Sequence, residues 1–182
     1  MIMTVAEFRQ FVTTDEVDQV LEAKLLALEL LIRSYTNNNF QVRAFRAAAD
    51  ARGKTLTMLP EANRFKAGDT LQITDSVLNA GLVNVRTSVG NTVTVKEDLY
   101  DETAVAVTKV VYPADIKQGV ARMLQWQLDN GDKVGVQSET ISRHSVTYFN
   151  MDVNNTVMGY PISLLGFLSP YMKARFGQGL RV

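Results

Sequence analysis

The sequence predicts an α+β protein: a discontinuous helical domain, three main helices plus a short β hairpin, interrupted by a small antiparallel β-barrel-like module. Three observations predict it. Apolar residues near the start of the chain recur at helical spacing. From Phe40 to Val111 they alternate instead in short runs broken by Gly, Asn and Asp, the pattern of strands and turns. The helical period returns at Pro113. The boundaries read from these shifts are 1–40 and 112–182 for a helical core with a C-terminal tail, and 41–111 for the inserted β module.

The first helix is expected from about Asp15 to Tyr35. Thr13 as N-cap with Glu16 three residues on has the spacing of a capping box. Val17, Leu21, Leu25, Leu28 and Ile32 fall on one face, whereas Leu26 and Leu30 lie off it. Apolar coverage this broad needs burial on more than one side, within the domain or against a neighbouring copy. Asn37, Asn38 and Asn39 end the helix, since Asn tolerates the left-handed conformation of a C-cap.

Strands are expected at Lys54–Leu59, Thr70–Thr74, Leu82–Thr87, Thr92–Val95 and Ala104–Val111, with turns at Lys66–Asp69 and Ser88–Asn91. The segment Phe40–Arg52 carries both an Ala-rich helical bias and a strand-like start, and its sequence supports either state. Pro113 opens the second helix at a position where its missing donor costs nothing, and Asn130-Gly131 closes it. Val136–Phe149 alternates again as one or two short strands. Pro161 starts a last helix through Leu164, Leu165, Leu168, Tyr171 and Met172, shortened by Pro170.

Composition removes several function classes. There is no cysteine and one histidine, so thiolate chemistry, disulfides and histidine-rich metal sites are excluded. Nineteen basic and nineteen acidic residues leave no net charge to draw the chain onto nucleic acid or an anionic membrane. The greasiest stretch, Val20–Ile32, is interrupted by three charges and shorter than the roughly 20 residues a bilayer needs. No phosphate-cradling glycine loop, nucleophile elbow or paired carboxylates appear, so neither an enzyme nor a cofactor is expected.

A few residues are singled out. His144 has no second ligand and reads as a surface or interface residue. Glu97, Asp98, Asp101 and Glu102 lack the ordered spacing of a calcium loop and read as a solvated turn at the tip of the β module. Arg43, Arg46, Arg52, Lys54, Arg64 and Lys66 form the one basic region, a solvated face or a contact to DNA or an acidic partner. Trp126 sits off the main stripe of its helix, as core or as a subunit-interface anchor.

Three stretches carry a resemblance. They are Leu31-Ile32-Arg33-Ser34-Tyr35-Thr36 with the Asn-rich turn and Phe40; Val136–Ile141 leading to Ser145–Tyr148; and Leu164–Gly177. In this order, with the Pro113 helix between the first two, they resemble the head-to-tail connector (adaptor, head-completion) family of tailed bacteriophages. The β insertion departs from that family's common short form.

The resemblance implies a structural virion protein of the neck or connector region, present in the host cytoplasm during assembly and away from membranes. It implies a homo-oligomeric ring of about twelve copies under the portal protein, receiving a downstream connector, stopper or tail protein and passing genomic double-stranded DNA through its channel. The tail residues Phe176, Leu180, Arg181 and Val182 would then reach the portal, with Leu26, Leu30 and Trp126 at the subunit interface. A DNA-binding accessory protein and a tail terminator or completion ring are the other readings.

Overall fold

The computed structural model describes residues 1–59, 64–131, 138–141, 144–147 and 155–174, with backbone alone for 138–141 and 144–147. The chain divides into two compact units: a β unit of Met1 with residues 39–112, and a helical unit of residues 2–38 and 113–182.

The β unit is a four-stranded antiparallel sheet. Strands β1 (Gln41–Leu59) and β4 (Thr92–Val110), each 19 residues long, pair with one another. Strands β2 (Thr70–Thr74) and β3 (Gly81–Val89) complete the order β1-β4-β2-β3, and β3 also pairs with the first residues of β4. Alternate residues turn inward. Val93, Val95, Val105 and Val107 of β4 meet Leu56, Met58, Leu71, Ile73, Val83 and Val85 in one dry core.

Two features differ from the sequence reading. The expected barrel is an open sheet, because β1 pairs only with β4 among the described residues and nothing closes its second edge. The two strands expected at Thr92–Val95 and Ala104–Val111 are one strand. The acidic residues between them lie within it rather than on a turn, because β1 pairs along this stretch, Ala51 with Glu102 and Gly53 with Leu99, and each carboxylate has a partner in the unit. Lys54 meets Asp98 and Arg52 meets Asp101 across the ribbon, both at 3.5 Å. Glu97 accepts from the backbone and side-chain nitrogens of Asn84 at 2.8 Å, and Glu102 is bound by the loop after β2. Repeated register shifts bend the ribbon through Gly53 and Ala104, both at φ +57°.

The ambiguous Ala-rich segment is strand. Ala47, Ala48 and Ala49 face Val107, Ala106 and Val105, and burial of Ala49 and Ala51 overrides a weak helical preference. At Lys66–Asp69 the Asp69 amide donates to the Lys66 carbonyl, and Gly68 takes φ +87° as a type II turn requires. Gly90-Asn91 makes the β3–β4 hairpin, with Gly90 at φ +58°.

The helical unit contains α1 (Val5–Phe11), α2 (Asp18–Thr36) and α3 (Ala114–Asn130). Three α-helices is the number expected, but α1 was not marked in the sequence and stands in place of the expected C-terminal one. Helix α1 carries its own capping box at Thr4 and Glu7, whereas the box expected at Thr13 and Glu16 does not form: the Glu7 amide donates to Thr4 Oγ1 at 3.1 Å, and the Thr4 amide donates to Glu7 Oε2 at 2.7 Å. Helix α2 starts later than expected, at an N-cap (Val17) with no side-chain bond. The reason is Arg9. Its guanidinium donates to the carbonyls of Thr14 and Glu16 at 2.7 Å and to Asp18, holding that segment outside the helix.

The expected last helix is two 3₁₀ helices, Ile162–Leu164 and Gly166–Tyr171. Pro161 is consumed in a two-residue ladder of β7 (Thr156–Val157) with β8 (Tyr160–Pro161), and Pro170 cannot donate to an α-helical ladder. Strands β5 (Ser138–Ile141) and β6 (His144–Thr147) form the expected hairpin. No described helix is long and apolar enough to cross a membrane.

Candidate functional site

The helical unit is organised where α2 ends. Helix α2 closes at Asn37, in the left-handed conformation at φ +50°. The Asn37 side-chain amide donates to the Ala174 carbonyl at 2.9 Å and that of Asn38 to the Tyr171 carbonyl at 3.1 Å. The Lys173 amide donates to the Thr36 carbonyl at 2.8 Å, satisfying one of the last helical acceptors. Tyr171 also donates its phenol to Asp115 in the first turn of α3, at 2.7 Å to the nearer oxygen, and that bond holds its hydroxyl above the ordinary tyrosine range. The Asn-rich turn, the α3 N-terminus and the Leu164–Ala174 stretch thus form one hydrogen-bonded cluster.

The opposite side of α2 faces water. Leu30 is 63% exposed and Leu26 40%, one turn apart, with Ala23 and Ala27 exposed beside them. Its inward face buries Leu21, Leu25, Leu28 and Ile32 together with Glu29 and Arg33. Together they make a short apolar strip on the exposed side of the helix.

Trp126 is half-buried in the helical unit, its ring 5.6 Å from that of Tyr160, whose hydroxyl donates to Gln127 Oε1 at 3.0 Å. Burial raises the Tyr160 phenol above its usual value. The tail residues Phe176, Leu180, Arg181 and Val182 lie outside the described residues, as does the His144 side chain.

In the β unit the basic residues do not converge on one site. Arg46 pairs with Asp75 at 2.8 Å, and Arg52 and Lys54 pair across the ribbon with Asp101 and Asp98. Arg43, Arg64 and Lys66 are exposed and have no ion-pair partner among the described residues. Half of the segment's positive charge is therefore compensated by nearby carboxylates, which weakens it as a phosphate-binding track.

An open concavity of about 590 Å³ is lined by Asp50, Ala51, Arg52, Thr57, Asp101, Glu102 and Thr103. No group of three or more potential metal ligands occurs among the described residues.

One surface escaped the sequence reading: the loop after β2, with Val77 and Leu78 at its tip and Tyr100 beside it on β4, all exposed. Its signal was Asp75-Ser76-Val77-Leu78-Asn79, two apolar residues framed by turn-forming polar ones. Neither a scan against protein-family models nor a search of curated proteins finds a match to this chain.

Proposed function

We propose that this chain is a non-catalytic structural protein of a tailed-phage virion. It forms a ring between the portal and the tail or next connector, extends the DNA channel during head completion, and enters the neck from the host cytoplasm. The observation that carries this reading is the cluster at the end of α2. Two of the stretches that resemble connector proteins, residues 31–40 and 164–177, are far apart in sequence, yet Asn37 and Asn38 bind the carbonyls of Ala174 and Tyr171. The intervening Pro113 helix joins them through Asp115.

The exposed Leu26 and Leu30 support the same reading, since a ring that closes by rotation presents two different faces per subunit. In this proposal α2 supplies one face, and the residues after Ala174 lead toward the portal.

The test is to mix the protein with its cognate portal and image the product. A ring added to the portal is the expected result. Protein that stays unbound, with no added density, ends the proposal; cross-linking to the tail-tube protein rather than to portal reassigns the ring to the tail.

A further inference from the structure

The loop of residues 75–80 joins β2 to β3 and carries no buried apolar side chain: Val77 is 91% exposed and Leu78 57%. A loop without an apolar anchor is normally among the least stable parts of a fold. Here a single carboxylate replaces the anchor. Glu102 Oε2 accepts from Ser76 Oγ at 2.6 Å and from Asn79 Nδ2 at 2.9 Å, while Oε1 accepts from the Val77 amide at 2.8 Å.

Asn79 extends the network. Its amide donates to Ser76 Oγ at 2.7 Å. Its side chain pairs with the peptide groups of Tyr100, accepting from the amide at 2.8 Å and donating to the carbonyl at 3.0 Å, in the manner of a neighbouring strand. Asp75, at φ +53°, turns the chain into the loop while its carboxylate holds Arg46.

We propose that Glu102 is a latch for this loop: ionised, it fixes Ser76 to Asn79 in one conformation and so fixes where Val77 and Leu78 are displayed, and protonated, it releases them. The chemistry follows from the donor count. An ionised carboxylate is an acceptor only and suits three converging donors, whereas the neutral acid loses charge-assisted bonding and brings a proton of its own.

The groups around Glu102 do not substitute for the loop. From β1, Asp50 accepts from the Ala104 amide at 2.9 Å and Arg52 pairs with Asp101 of β4. On the loop itself, Asp75 is engaged by Arg46. No cation pairs with Glu102 among the described residues, so the loop's donors stabilise its charge. The hydrogen bond from Ser76, followed by that from the Val77 amide, holds its carboxyl below the ordinary range. The latch stands whether or not the protein forms a ring.

Residue-resolved amide hydrogen exchange on the full chain, expressed as protection factors, tests it. At neutral pH, Glu102→Ala is expected to lower protection at Val77, Asn79 and Tyr100 by about tenfold or more, with Val83 and Val107 in the same sheet unchanged. In the unmodified chain the same three amides lose protection as pH falls through the carboxylate range, and Glu102→Gln shows no such step. Should Glu102→Ala not fold, Ser76→Ala replaces it, with the loss expected first at Asn79. Unchanged protection in Glu102→Ala or its replacement, or an acid step that persists in Glu102→Gln, overturns the proposal.

Discussion

The ring of Phe167 lies directly on Gly119, in the middle of α3, so closely that a Cβ at position 119 would overlap it. The glycine is there for approach rather than for backbone freedom, since it stands inside a regular helix. Gly119→Ala gains helix propensity but must displace the aromatic ring, and overpacking of this kind costs about 1–3 kcal/mol. Thermal unfolding should show a lower Tm. Phe167→Leu in the same background should recover part of the loss, a coupling that a double-mutant cycle measures.

Leu30 has the opposite character, an apolar residue 63% exposed on α2. Leu30→Glu should leave monomer stability within about 0.5 kcal/mol, as for other exposed positions. It should abolish ring addition to the portal. Chemical denaturation with portal binding on the same sample separates the effects, and normal assembly of the variant would remove α2 from the proposed interface.

Asn38 holds the last residue of the second 3₁₀ helix. Asn38→Ala removes the donor to the Tyr171 carbonyl and should cost about 1 kcal/mol, the usual worth of such a bond. The Lys173 amide, which donates to Thr36, should exchange faster in this variant, and its exchange rate is the direct measurement.

Glu7 links α1 to α3 through Lys117 at 2.9 Å. Burial pushes its carboxyl upward, but the Thr4 amide and then Lys117 outweigh this, and the net shift is downward. A carboxyl lowered in the folded state contributes stability above its unfolded value and loses that contribution as pH falls through the folded one. Glu7→Gln should therefore flatten the acid limb of the stability profile. The change is at most about 1 kcal/mol, because both side chains are substantially solvated. Equilibrium unfolding between neutral and acid pH checks it.

Period and punctuation are local properties, so the alternation of a helical start, an extended middle and a second helix from Pro113 was legible in the residues alone. Strand β2, the turn at Gly68, the hairpin at Gly90 and the ends of α3 could all be read this way. The sequence also marked Leu26 and Leu30 as residues outside the main apolar face of α2. Tertiary structure alone decided the rest, because each remaining feature depends on a distant partner. Arg9 delays the start of α2, and Val105 and Val107 draw an Ala-rich segment into a strand. Pairing with β1 keeps the acidic residues inside β4 where a turn was expected, and only the pairing of whole strands leaves the sheet open along β1. The latch at Glu102 was hidden for the same reason: its donors lie more than twenty residues away, and no local pattern encodes a hydrogen bond across that distance.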